Sequence, residues 1–233
     1  PEVIPRPIST ASYHSAFDLV DLARYTVNSL IVAALTVPLA VLVASLAGFA
    51  LLLLAGRARA ILIGLSFAAL MVPVTALLVP RFTIFRWLGL IDTWAPLVAP
   101  ALIGLSPFYV LLFYWSFRRL PPELLEAARL EGMQPFAMWR RVGMPLVRPV
   151  TIAVGLLAFI ASWGNFLEPL VYLFDPDLYT LPLGLRSLET LDRTNYPMLL
   201  AGAVVATAPV VLAFVIAQRY FLHEDRGAGW LGR

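Results

Sequence analysis

Glu126-Ala127-Ala128, three residues, Gly132, nine residues and then Val142-Gly143-Met144-Pro145 form a polar, arginine-bearing island between two strongly apolar stretches. Its chemistry is recognition. Glu126 and Arg129 offer charge, Ala127 and Ala128 lack the bulk to hold off a partner, and Gly132 and Pro145 set chain direction. A second group, Trp163-Gly164-Asn165-Phe166-Leu167-Glu168-Pro169, places an amide and a carboxyl three residues apart in a nearly uncharged setting. That spacing predicts one shared helix face, and Pro169 is expected to kink or end the helix. Polar groups in such surroundings usually face a bundle interior or a pathway. The alternative is that Glu168 stands at an outer boundary and meets water. Trp163, Asn165 and Glu168 are therefore the candidate pathway-lining residues.

Catalytic chemistry has no comparable foothold. There is no cysteine, which excludes disulfides and thiolate metal sites. His14 and His223 lie near opposite ends of the chain and read as solvated or interfacial residues rather than ligands. No glycine-rich phosphate loop, HExxH or GxSxG occurs. The chain reads as non-enzymatic, with no metal and no cofactor of its own. All 17 basic residues are arginine, and the net charge of +3 is too small and too dispersed for a nucleic-acid partner.

The elements that must position these residues are set by a membrane. The sequence is 61% hydrophobic and 13% charged, with mean hydropathy +0.84, against about 25% charged in soluble domains. Uncharged runs cover residues 26–56, 60–80, 93–117, 149–167 and 194–218. About 20 apolar residues cross about 30 Å of hydrocarbon as a helix. The runs are continuous, as in Leu51-Leu52-Leu53-Leu54, where barrel strands would alternate. The expected fold is all-α, a polytopic bundle with five visible spans. Residues 1–25 form an external segment, 26–222 the membrane domain with a cytoplasmic loop at 118–148, and 223–233 a cytoplasmic tail.

Arginine bias gives the orientation. With the start outside, eleven arginines fall on the inner side and six on the outer side, which places the island in the cytoplasm. The chain begins with Pro1 and has no apolar signal stretch before Arg24. An earlier span preceding residue 1 is the simpler account, and translocation of a short tail is the rival. On the outer side, residues 81–92 carry Phe82, Phe85, Trp87, Leu88 and Leu90 at helical intervals. They suit either a short interfacial helix or an ordinary aromatic belt, with Trp87 and Trp94 at headgroup depth. Residues 175–197 form the longest outer loop, opening on Asp175-Pro176-Asp177 turn chemistry. The sequence favours a solvated loop there over one that meets a soluble partner.

Within the island, Pro121-Pro122-Glu123 is a helix start. Gly132 falls where a helix end favours positive φ. Pro135 restarts a second turn through Trp139, Arg140 and Arg141, and Pro145 and Pro149 bracket the return to the bilayer. The expectation is two short helices joined at a glycine elbow.

The island resembles the EAA loop of bacterial ABC importer permeases, with Val142 and Met144 standing for the Ile and Leu of I-x-L-P. The rest of the chain is similar to the maltose-permease type of carbohydrate uptake subunit. Asn28-Ser29-Leu30 matches its N-S-L opening, and Gly89-Leu90-Ile91-Asp92-Thr93 its G-L-x-[DN]-T segment. Residues 163–170, followed by Thr180-Leu181-Pro182, match the W-N-x-F-L-x-P-L block, except that Gly164 intervenes between Trp163 and Asn165. The usual glycine-rich terminus survives only as Gly227-Ala228-Gly229.

This resemblance implies a type I (MetI-like) importer permease of six spans in the bacterial inner membrane. It implies that residues 126–132 are a coupling helix seated in a cytoplasmic ATPase dimer, which holds the ATP and Mg²⁺. A second homologous permease subunit and an extracytoplasmic substrate-binding protein complete the complex. The expected solute is a sugar or sugar-like compound. The competing class, a secondary transporter or channel, requires internal repeats and deep charges, and only Glu168 approaches that. A membrane-embedded enzyme requires a catalytic cluster that the apolar runs lack.

Overall fold

Asp21 starts the longest helix among the described residues, its carboxylate accepting the Arg24 backbone N–H at 2.9 Å. In this computed structural model, which describes residues 9–224 and the side chains of 9–219, a short helix α1 (Ala11–Leu19) precedes α2 (Leu22–Leu53). At 1.5 Å per residue α2 runs about 48 Å, longer than the hydrocarbon core. Its central face is built from small residues four apart, Ala40, Ala44 and Gly48. Small residues let membrane helices approach backbone to backbone. A Cβ at Gly48 would lie 2.7 Å from Phe113 Cβ and 2.8 Å from the Tyr114 backbone nitrogen.

Those partners belong to the third apolar run. That run is not one continuous helix but α5 (Ala95–Val98), a 3-10 segment Ala99–Ile103 and α6 (Pro107–Arg118). Gly104 and Leu105 adopt φ of 83° and 62°, which takes the chain out of the helix, and Pro107 starts it again. The second run is also divided. α3 (Gly56–Leu70) is followed by a break, a 3-10 turn Val74–Leu77 and α4 (Leu78–Trp87), bent by 90°. Pro73 explains the break, because it has no N–H and holds Val72 away from helical geometry.

α7 (Pro122–Leu130), α8 (Pro135–Met138), a π-turn Trp139–Gly143 and α9 (Met144–Leu146) form the island. The chain then bends by 86° into α10 (Arg148–Trp163). α10 has 16 residues, about 24 Å, and ends sooner than the fourth run implies. The stop is at Gly164, before Pro169. Pro169 lies in the first turn of α11 (Leu167–Tyr172), where its missing N–H costs nothing. Among the described residues three helical stretches, Leu22–Leu53, Ala95–Arg118 taken through its irregular turn, and Tyr196–Arg219, are long and apolar enough to span a membrane, or up to five when each bent pair counts as one span. The five-span expectation therefore holds only with two broken spans.

The 175–197 segment is not a solvated loop. It folds as a 3-10 turn Pro176–Leu178 and α12 (Leu181–Leu191), with Leu181, Leu183 and Leu188 buried. Its leucine periodicity is that of an amphipathic helix, and that face packs on α2 and α13 (Tyr196–Glu224). The core proper joins α2, α6 and α10 with the second half of the island, through Phe49, Phe113, Phe117, Trp139 and Val154. The expected tail 223–233 lies, from residue 225 on, outside the described residues, as do residues 1–8 and the Gly227-Ala228-Gly229 remnant.

Candidate functional site

α7 closes as the sequence predicts. Gly132 has φ of 74°. The Met133 N–H donates to Ala128 O at 3.0 Å and the Gly132 N–H to Arg129 O at 2.9 Å. This is the paired-bond Schellman ending, which satisfies carbonyls that the helix end would orphan. The second half of the island starts at Pro135 and widens into the π-turn at Trp139–Gly143. There Gly143 fits under two rings: a Cβ would lie 3.1 Å from Phe117 Cε1 and 3.3 Å from Phe49 Cε2. This seat fixes the island to the C-terminal ends of α2 and α6.

The two alanines divide. Ala128 is buried in the chain's own core beside Met138 and Trp139, so its small size lets α7 sit down on the bundle. Ala127 is exposed, with Glu126, Arg129 and Gly132 around it. Leu130 is 90% exposed and Phe136, across the elbow, 60%. Two large apolar side chains thus stand exposed beside the charges of the elbow. Sequence reading missed both, although their apolar character next to Arg129 and Gln134 was the available signal. Pro145 is exposed in α9, one residue before the bend into α10 begins.

The second predicted group lies toward the other end of α2. Trp163 is 3% exposed, stacks on Phe159 at 5.6 Å and donates its Nε1–H to Ala206 O of α13 at 2.9 Å. Asn165 and Glu168 meet, but not by sharing a helix face. Asn165 sits in the break before α11, where its Oδ1 accepts the Glu168 backbone N–H at 3.3 Å and its Nδ2 donates to Glu168 Oε2 at 2.7 Å. Glu168 is 8% exposed. Its other oxygen accepts from Arg81 Nη1 of α4 at 2.6 Å. Arg81, read from the sequence as an interfacial residue, is thus part of a partly buried polar cluster with Glu168 and Asn165. Long-range pairing of this kind has no signature in local spacing.

Above this cluster, three separate sequence matches converge into one hydrogen-bonded cap. Asn28 Nδ2 donates to the carbonyls of Asp177 and Tyr179 at 2.8 and 2.9 Å, and Ser29 Oγ accepts the Leu181 N–H at 2.8 Å. Asp92 Oδ1 accepts the N–H groups of Phe174 and Asp175, both at 2.9 Å. Trp94 donates to Leu178 O at 3.0 Å. Trp94 is thereby a clasp on the 3-10 turn rather than a free belt residue, whereas Trp87 stays 85% exposed. Arg24 pairs with both Asp21 and Asp177. From Asn28 to Phe49 is 21 residues of one helix, so cap and island stand about 30 Å apart, a bilayer's thickness.

The chain matches the family described as the binding-protein-dependent transport system inner membrane component over residues 15–226. It is 35% identical over 195 residues to the arabinooligosaccharides transport system permease protein AraQ of Halalkalibacterium halodurans, covering 84% of this chain and 69% of that one. It is 33% identical over 214 residues to the sulfoquinovosyl glycerol transport system permease protein SmoH of Agrobacterium fabrum, covering 92% and 75%. A crystal structure of a bacterial ABC transporter involved in import of the acidic polysaccharide alginate superimposes with TM-score 0.78 at 21% identity. The match covers 94% of this chain and 81% of that one, and at that identity the likeness speaks for the fold.

Proposed function

The chain belongs to the family of binding-protein-dependent transport system inner membrane components and is a multi-pass, non-catalytic permease subunit of an ABC importer; we propose that it couples to its ATPase through α7 and the elbow at Gly132. Membership implies an ATPase and a substrate-binding protein as partners, with ATP and Mg²⁺ held by the ATPase. In this reading the ATPases form a dimer under a pair of homologous permease subunits. The arginine bias supports a cytoplasmic island, and the solute is a sugar or sugar-like compound, the class named for AraQ, SmoH and the lactose and trehalose permeases. Trp163, Asn165 and Glu168 line the pathway on the side away from the island.

One observation carries the coupling role: α7 offers Glu126, Ala127, Arg129 and a 90% exposed Leu130 outward, while Ala128 belongs to the core cluster with Met138 and Trp139, and Gly143 in the second half of the island seats against Phe49 and Phe117. In this reading a push on α7 reaches α2 and α6 through the second half of the island. The test is Glu126→Arg in the assembled importer, scored by uptake of an arabino-oligosaccharide or trehalose and by ATPase stimulation from the binding protein. Loss of both with the complex intact is expected. Normal values for both would end the coupling assignment.

A further inference from the structure

The partly buried Arg81–Glu168 ion pair joins two pieces of broken span. α4 follows the 90° break after α3, and α11 follows the break at residues 164–166. No residue of α3, the 3-10 turn or α4 is buried within the chain, and α4 meets the cluster around Tyr172 through the partly buried Leu78, Phe82 and Phe85. It meets α11 where Tyr172 packs against Phe82 and Phe85 at 6.4 and 5.7 Å, where the Tyr172 hydroxyl donates to Leu78 O at 3.4 Å, and where Arg81 reaches Glu168. Segments with little buried surface occupy the low-stability end of a protein and move first.

The pair itself is unevenly satisfied. Glu168 has both oxygens engaged, by Arg81 and by Asn165. Arg81 Nη2 is buried and has no hydrogen-bond partner among the described residues. A buried ion pair gains little net stability unless every donor is matched, and here one guanidinium nitrogen is unmatched. Broken helices in transporters place unwound polar groups where a solute passes. Here the break at 164–166 supplies Asn165 and Glu168, and α4 supplies the cation.

We infer that Arg81 and Glu168 are the latch of the pathway at the end opposite the island. The pair holds α4 against α11 while that end is closed. Separation of α4 exposes a carboxylate, an amide and a guanidinium, groups that bind the hydroxyls of a polyhydroxylated solute. Arg81 is a positioning residue in the closed state and a solute-facing donor in the open one. The inference rests on the permease reading above.

The experiment uses the assembled importer in proteoliposomes, with R81Q, E168Q and the charge-swapped pair R81E/E168R. Without the latch, the complex reaches the open state without the binding protein. ATPase activity in the absence of binding protein should rise about tenfold in each single variant, the response to a population shift of that size. The swap should return it toward the wild-type level. A merely structural pair would lower complex yield and activity together and would not raise unstimulated turnover. Unchanged unstimulated ATPase in both single variants, or loss of the complex from the membrane in all three, overturns the latch. A wild-type complex that turns over ATP without any response to a binding protein overturns the permease reading as well, whereas a normal wild-type response with silent variants overturns only the latch.

Discussion

Asp92 holds Asp175 by its backbone: the Asp92 carboxylate accepts the Asp175 N–H at 2.9 Å and, with the same oxygen, that of Phe174. The Asp92 N–H returns a bond to Tyr172 O at 2.9 Å, and Asp92 itself sits at φ 61°. A left-handed residue with a side-chain acceptor is the chemistry of Asp and Asn, which accounts for the [DN] of the matched segment.

A pH dependence follows from this clasp. The Asp175 N–H, then that of Phe174, hold the Asp92 carboxyl below the usual carboxylate range. A depressed carboxylate contributes stability that is present above its unfolded value, about 3.9. That contribution is lost as pH falls through the folded value. The clasp is therefore strongest at neutral pH, where an ionised acceptor holds both N–H groups, and weakens in acid, below about pH 4. Hydrogen exchange of the Phe174 and Asp175 amides should accelerate there beyond its intrinsic pH dependence. Asp92→Asn should keep the bonds and abolish the step. An equal step in the Asn variant would assign it to another group.

Gly132 gives a prediction about shape and not size. A Cβ there would meet nothing within 4 Å, yet φ is 74°. Only backbone strain opposes substitution. Gly132→Val should cost about 1–2 kcal/mol locally and distort the elbow, while Gly132→Asn, which tolerates this conformation, should retain most binding-protein-stimulated ATPase. Equal loss in both variants would point to crowding by the partner surface.

Trp163 ties α10 to α13 by a single hydrogen bond to Ala206 O, beside a ring stack with Phe159. Trp163→Phe keeps an aromatic in the site and removes the donor. The expected loss is about 1 kcal/mol, seen as a lower Tm of the purified complex. Trp163→Ala, which also empties a buried ring site, should cost about 3–5 kcal/mol. An unchanged Tm in the Phe variant would show that the bond carries no net energy.

Sequence legibility follows how local each cause is. The Gly132 elbow, the Pro135 restart and the five apolar runs depend on residues within one or two turns, and the structure has them where composition and spacing place them. The breaks at Pro73, Gly104 and Gly164 are local too, but they were hidden by hydrophobic runs that read as unbroken. Arg81 with Glu168 lies 87 residues apart in sequence, and Asn28 with Asp177 lies 149. Nothing in the neighbourhood of either residue announces its partner. The inward turn of Ala128 was illegible for the same reason: which face of α7 is buried depends on Met138 and Trp139 beyond the elbow.

Gly48 offers the sharpest test of the packing between α2 and α6. It is the last of the small residues Ala40, Ala44 and Gly48 on the α2 face against α6, and its absent side chain is what lets the two backbones touch. A Cβ would lie 2.7 Å from Phe113 Cβ, 2.8 Å from Tyr114 N and 2.9 Å from Val110 O. Two of these are backbone atoms, so no rotamer change relieves the clash, and α6 must shift away from α2. Gly48→Ala should then destabilise by about 1–3 kcal/mol, the usual cost of overpacking. Because Phe113 and Phe117 stack at 6.0 Å and Phe117 seats Gly143, the displacement should reach the island. Stimulated ATPase should fall more than yield. Gly155 supplies the contrast, since a Cβ there would meet only Val41 at 3.9 Å and Val37 at 4.0 Å. Gly155→Ala should be neutral or slightly stabilising through the higher helix propensity of alanine. A Gly48→Ala complex with wild-type Tm and full stimulation would show that α2 and α6 are not locked together as their contact requires.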